Sequence, residues 1–265
     1  MAFDAWAYPL IISIEGGIGV GKSTQIQKLQ ELFKDNERIV ILPEPVDEWV
    51  DKGFLQGMYD GSVTMGEFQH MVLMSLAGDL LKALARKPAP AIIITERSPW
   101  GNHHVFARAN LTGTALDLYQ HTWERVLGGL PSQLDVKYVY LRADPETIEE
   151  RMKTRGREAE AKVPREYLET LHRLHDEWME VTPSVTLCGD DNVDDVWRGL
   201  CSNLSRWFAE AGETFKAQRE IKETSERERN LTVMICSAQE GADALEQELP
   251  ASRAKRAKIA PAEEA

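Results

Sequence analysis

The chain is poor in cysteine. It has three in 265 residues, Cys188, Cys201 and Cys236, odd in number and far apart. That argues against a disulfide-stapled secreted domain and offers no metal-ligand spacing, so a reduced, cytoplasmic setting is expected. Positive charge is also in deficit, with 31 Lys and Arg against 43 Asp and Glu and a formal net charge of −12. A duplex-coating protein needs a basic footprint, so no nucleic-acid partner is expected, while local phosphate sites stay open. Long apolar runs are missing. None nears the roughly 18 residues that cross a bilayer, and no membrane partner is expected. Met1-Ala-Phe-Asp-Ala-Trp6 has no basic stretch and carries an acid, so neither a secretory nor a mitochondrial leader is expected. No internal repeat is visible. The hydrophobic share of 43% suits a substantial core, in one large domain or two small ones.

What is present is a phosphate-binding pattern. Gly16-Gly17-Ile18-Gly19-Val20-Gly21-Lys22-Ser23 fits G-x-x-x-x-G-K-[ST] and runs on into Thr24. It follows the apolar run Leu10–Ile14 and precedes a helix-like segment, Thr24 to Phe33. A strand feeding a Gly-rich turn and then a helix aims backbone N–H groups and a positive helix end at one spot. Glycines let that backbone close around a polyphosphate without Cβ clashes. Lys22 then reaches the β- and γ-phosphates, and the Ser23 hydroxyl ligates Mg²⁺. A nucleoside triphosphate is the expected ligand.

Further short β-branched runs follow at Ile39–Leu42, Ala91–Thr95, Val136–Leu141 and Val185–Cys188. They alternate with helical spacing, as in Phe68-Met71-Val72-Ser75-Leu76 and Leu116-Tyr119-Trp123-Val126. The expected fold is α/β: a doubly wound sheet of about five parallel strands, helices on both faces, of the P-loop NTPase type. In such sheets the ligand lies beyond the carboxyl ends of the strands. The first three strands end in Glu15, Glu44 and Glu96-Arg97, so these side chains are expected to crowd the phosphate edge. Residues 1–211 read as the folded domain. Residues 212–265 read as a charged, largely disordered tail, whose Arg253, Lys255, Arg256 and Lys258 are a candidate nuclear-localisation signal.

Each candidate has a plainer reading beside the chemical one. Glu44, held between Pro43 and Pro45, suits a general base towards a hydroxyl, or is an exposed turn acid. Trp49 stacks on a base or packs in the core. Glu96 holds Mg²⁺ and Arg97 bridges substrate oxygens, or the two are a structural pair. Arg151 and Arg155 share a helix face, Gly156 offers a break, and Arg157 follows it. That row suits a lid over a transferring phosphoryl group, against a plain charged helix. His103 and His104 point apart. His172 and His175 read as surface histidines, and Asp190 to Asp195 as a solvated turn.

Together these segments resemble the deoxynucleoside kinase family over about residues 9–208. The match is carried by Glu44-Pro45-Val46 with Trp49, Met58-Tyr59, Phe68-Gln69, Glu96-Arg97-Ser98, and Arg151, Arg155, Gly156, Arg157, continued by Val163-Pro164-Arg165-Glu166-Tyr167-Leu168. The resemblance implies that Glu44 deprotonates a nucleoside 5′-hydroxyl with Arg97 nearby, and that Trp49 lines the nucleoside pocket. It implies that Tyr59 and Glu160 bind the 3′-hydroxyl, that Gln69 meets the base edge and that Phe106 stacks on the base. It also implies a homodimer through the helices around 65–85 and 114–128. Two departures stand out. Asp60 to Glu67 lacks the proline and tryptophan of many relatives. The Arg–Asp pair of deoxycytidine-preferring members is replaced by Leu76 and Asn102, which leans towards thymidine and other deoxypyrimidines. The expected activity is ATP- and Mg²⁺-dependent phosphorylation of a deoxyribonucleoside. A thymidylate-type monophosphate kinase and a non-catalytic binding subunit are the alternatives.

Overall fold

Five β-branched runs form five parallel strands in the computed structural model, which describes residues 8–130, 134–156 and 163–211. Arg157, Glu160, Cys236 and the basic cluster 253–258 lie outside the described residues. The described residues all fall within the first of the two units into which the chain separates, Met1–Gln218.

The strands are β1 (Leu10–Glu15), β2 (Ile39–Leu42), β3 (Ile92–Glu96), β4 (Val136–Arg142) and β5 (Ser184–Cys188), in the order β2-β3-β1-β4-β5. Every pairing is parallel. Inner strands β1 and β3 bury every residue, as sequences that read Leu-Ile-Ile-Ser-Ile-Glu and Ile-Ile-Ile-Thr-Glu should when both sheet faces are covered. The edge strand β5 leaves Thr186 and Cys188 exposed.

The connecting helices are α1 (Lys22–Leu32), α2 (Val46–Asp51), α3 (Phe54–Asp60), α4 (Met65–Leu84), α5 (Pro99–Gly101), a π-helical segment (Asn102–Ala107), α6 (Arg108–Asn110), α7 (Gly113–Leu127), α8 (Pro145–Arg155), α9 (Arg165–Val181) and α10 (Val193–Glu210). A capping box starts α4: the Thr64 hydroxyl accepts from the Glu67 N–H, and the Glu67 carboxylate accepts from the Thr64 N–H. Leu80 and Ala83 of α4 pack on Ile11, Val40 and Ile93 of the sheet. Leu171, Trp178 and Met179 of α9 pack on Tyr138 and Tyr140, together with Val105 and Phe106. Gly156, at φ 66°, ends α8 as its position suggested. No helix among the described residues is long and apolar enough to cross a membrane.

One sequence expectation is overturned here. His175 is not a surface residue: it is 0% exposed and lies on the buried stripe of α9 with Leu168, Leu171, Trp178 and Met179. Spacing alone placed His172 and His175 near one another, but the apolar residues around them decided which face turned inward.

The strand order sets the site. The chain leaving β1 runs to β2 on one side, and the chain leaving β3 runs to β4 on the other. Between the carboxyl ends of these neighbours a crevice opens. The Gly-rich loop follows β1, and Arg97-Ser98 follows β3.

Candidate active site

The phosphate loop has a backbone that only glycine adopts easily. Gly16, Gly19 and Gly21 have φ of 147°, 80° and 100°. A Cβ on Gly16 would lie 2.6 Å from the Leu141 carbonyl oxygen. Lys22 is buried, and its ammonium donates to the carbonyls of Gly16 (3.0 Å) and Gly17 (2.8 Å). Burial first, and then the Arg97 charge, lowers its pKa. The ammonium is thus held inside the loop by the loop's own carbonyls. Ser23, one residue on, donates to Glu96 Oε1 at 2.6 Å. A hydroxyl and a carboxylate side by side make a hard-oxygen donor set suited to Mg²⁺.

Glu96 also reaches the turn after β2, where its Oε2 accepts from the Glu44 backbone N–H at 3.4 Å. Glu44 in turn pairs with Arg97, 2.8 Å between Oε1 and Nη1, with each side chain only 9% exposed. Of the two readings of Glu44, the exposed turn acid is excluded. Arg97 has φ 62°, a left-handed conformation that a non-glycine residue takes at a cost of about 1–3 kcal/mol and that concentrates at functional sites. The strain is held by the Arg97 N–H bond to the Ile14 carbonyl (3.0 Å) and by the Glu44 pair. The guanidinium lies 3.6 Å over the Phe106 ring.

Beyond this ion pair lie the remaining pocket candidates. Asn102 is fully buried at the start of the π-helical segment, a distortion that recurs at functional sites. Its Nδ2 donates to the Tyr119 hydroxyl (2.7 Å) and the Gln69 carbonyl (3.4 Å). Gln69 Oε1 and Asn102 Oδ1 are buried without a hydrogen-bond partner among the described residues. Trp49 packs edge-on to Phe68 in a cluster with Val72 and Leu76, and its indole N–H donates to Ser75. Trp49 is 3% exposed. Tyr59 sits half-buried on α3, beside Met58 of that cluster.

The loop forms one wall of a cleft of about 430 Å³, and Arg151 and Arg155 of α8 line the same cleft. Arg151 Nη1 donates to the Gly189 carbonyl at 2.5 Å, linking α8 to the turn after β5. Asp191, Asn192 and Val193 also line it. This acidic turn is solvent-exposed, as expected, and its place beside the cleft was not foreseen. Asn192 also caps α10 by accepting from the Asp194 and Asp195 N–H groups. The strand-end rule applied to β1, β2 and β3 would have found it if extended to β5. Glu15 stands at the same edge but is fully buried, its carboxylate accepting from Ser98, the residue after Arg97.

Comparison with known proteins places the chain in a family. A family model described as deoxynucleoside kinase matches residues 12–199. The chain is 32% identical over 241 residues to deoxycytidine kinase of Homo sapiens, covering 75% of this chain and 90% of that protein. The chain belongs to the deoxynucleoside kinase family. Deoxycytidine kinase 1 of Xenopus laevis is 34% identical over 198 residues, 63% of this chain and 73% of that one. Thymidine kinase of Ictalurid herpesvirus 1 is 31% identical over 211 residues, 74% and 88%. A solved deoxyadenosine kinase from M. mycoides shares the fold with a TM-score of 0.61 and 23% identity, covering 74% of this chain and all of that one. Membership makes the chain a nucleoside-phosphorylating enzyme that draws on a nucleotide phosphate donor, built on a P-loop fold.

Proposed function

We propose that the chain transfers the γ-phosphoryl group of ATP to the 5′-hydroxyl of a deoxypyrimidine nucleoside, with thymidine as the leading acceptor. The observation that carries this reading is the double engagement of Glu96, with Ser23 of the donor loop on one oxygen and the Glu44 turn on the other. It brings a phosphate loop and a hydroxyl-directed carboxylate to one point. Glu44, freed from Arg97 as substrate enters, takes the 5′-hydroxyl proton, and Arg97 stays beside the 5′-oxygen. The loop from Gly16 to Thr24 cradles the triphosphate, and Lys22 leaves the loop carbonyls for the β- and γ-phosphates. Arg151, Arg155 and Arg157 stabilise charge on the phosphoryl oxygens. Ser23 and Glu96 would hold Mg²⁺, which would supply charge neutralisation when bound. Tyr59 and Glu160 bind the 3′-hydroxyl, Trp49 backs the pocket, and Phe106 stacks on the base.

The base preference rests on neutrality. Leu76 sits in the apolar Trp49 cluster, and Asn102 keeps only its carbonyl oxygen unpaired. An amide pocket of this kind suits the neutral edge of a pyrimidine, with Gln69 Oε1 accepting a ring N–H. A nucleoside panel with ATP and Mg²⁺, read as monophosphate formation, tests it. Thymidine turnover above deoxycytidine supports it. Deoxycytidine preference would transfer the chain to the class of the deoxycytidine kinases to which it is 30–34% identical. Phosphorylation of monophosphates alone, or of nothing, would overturn it.

A homodimer completes the proposal. Met74 and Leu81 of α4 and Leu118 of α7 are 54%, 44% and 59% exposed on two helices that pack together. An apolar face of this kind is commonly an interface. Light scattering of Met74→Glu with Leu118→Glu should give a monomer where the parent gives a dimer. Residence is proposed to be cytoplasmic, with nuclear entry through Arg253 to Lys258, and fluorescence of a tagged chain lacking that cluster tests it.

A further inference from the structure

Glu15 is the last residue of β1 and the residue before the phosphate loop, yet its side chain plays no part in the reaction described above. It is 0% exposed. Its Oε1 accepts from the Ser13 hydroxyl (2.7 Å) and from the Ser98 hydroxyl (2.5 Å). Ser13 is itself held by the Thr95 hydroxyl at 3.1 Å, so the carboxyl group is fastened across β1 and β3. Ser98 caps α5, accepting from the Gly101 N–H at 3.1 Å. The other oxygen, Oε2, has no hydrogen-bond partner among the described residues and faces Gly101, where a Cβ would lie only 2.2 Å away. Only glycine fits there, so the first turn of α5 is shaped around this carboxyl group.

The two ends of Glu15 therefore belong to different halves of the site. Its backbone continues into Gly16 of the donor loop. Its side chain sets the start of the helix that carries Asn102 and Phe106. Strand geometry makes this possible: Glu15 is on the same sheet face as Ile11 and Ser13, the face that α4 and the α5 turn cover. We infer that Glu15 is a positioning residue that couples occupancy of the phosphate loop to the shape of the nucleoside pocket. Movement of Gly16 on triphosphate binding is passed through the Glu15 carboxyl group to Ser98 and the π-helical segment. Burial raises the Glu15 pKa, while the Ser98 and Ser13 hydroxyls and the Arg97 and Lys22 charges oppose that rise.

The inference rests on the proposed two-substrate site and is tested on the full chain. The dissociation constant of thymidine is measured by calorimetry with and without a non-hydrolysable ATP analogue and Mg²⁺, and the ratio of the two values is the coupling factor. In the parent chain the ratio should be about fivefold or more, the lower end of usual coupling between sites. In Glu15→Gln, which keeps the volume, and in Ser98→Ala, which removes one hydroxyl, it should fall towards one. Affinity for the analogue alone should stay close to that of the parent. A parent ratio of one, or variants that keep the parent ratio while both affinities weaken together, would overturn the role. If a melting curve shows Glu15→Gln unfolded, Ser98→Ala alone decides. Should the parent phosphorylate no nucleoside, the proposed function fails. Should it do so with the ratio unchanged in the variants, only the role of Glu15 fails.

Discussion

Replacing His175 by Phe should flatten the fall in stability of this protein in mild acid. The ring is fully buried, and its Nδ1 donates to the Leu171 carbonyl at 2.7 Å, so the proton resides there. Nε2 has no partner among the described residues. The ring stacks on Tyr140, centroids 5.5 Å apart at 6°, and meets Phe106 edge-on at 5.8 Å. Burial pushes its pKa down to about 3, the Lys22 and Arg97 charges push the same way, and the Leu171 carbonyl and Asp176 oppose them. The sign follows directly. In the unfolded chain the ring titrates near 6.5, so below that pH the unfolded state binds a proton that the native state refuses until about pH 3. The stability contributed by a neutral His175 is complete above pH 6.5 and is lost as pH falls. At about 1.36 kcal/mol per pH unit, the loss between pH 6.5 and 5 is about 2 kcal/mol. Phe keeps the ring packing and removes the proton. Urea unfolding at pH 7 and pH 5 should show the parent losing about 2 kcal/mol more than His175→Phe. Equal losses, or a larger one in the variant, would refute the buried neutral imidazole.

Three further outcomes are expected. Glu44→Gln should cut turnover by about 10²–10⁴-fold while sparing ATP binding, read by steady-state kinetics and a nucleotide titration. Turnover near that of the parent would remove Glu44 from the base role. Arg97→Gly and Arg97→Ala both lose the Glu44 pair, but only glycine relaxes the backbone at φ 62°. The Gly variant should be more stable than the Ala variant by about 1 kcal/mol in urea melts, with both impaired in turnover. Gly16→Ala should lower stability by roughly 3 kcal/mol or more and abolish ATP binding, because its Cβ would meet the Leu141 carbonyl at 2.6 Å in a backbone already at φ 147°. Thermal melts with a fluorescent ATP analogue check it.

Much of the site was legible because its chemistry is local in the chain. The phosphate loop depends on consecutive glycines, a lysine and a serine, so its shape and its ligand are written in one stretch. Glu44 and Glu96-Arg97 were legible for a different reason: each ends an apolar strand, and parallel strands carry their ends to one edge. The rule also placed Glu15 at that edge but did not foresee the burial of its side chain, which is hydrogen-bonded to Ser13 and Ser98. It was not extended to the turn after β5, where Asp191 and Asn192 line the cleft beside the glycine-rich loop. His175 was misjudged because two histidines three apart say nothing about which side of a helix meets the sheet. Leu168, Leu171 and Trp178 on the same stripe hold that information.

By itself, the sequence determined the alternation of strands and helices, the five strand positions within one or two residues, and the glycine-rich loop between β1 and α1. Each of these follows from periodicity or from backbone demands within a short window. Only the tertiary structure decided which side chains meet. Glu96 joins Ser23 to the Glu44 turn, Arg97 adopts a strained backbone to pair with Glu44, and Glu15 ties β1 to the α5 turn. These partners are separated by tens of residues. Their contacts depend on strand order, and strand order is set by how the helices cover both faces of the sheet rather than by any local pattern.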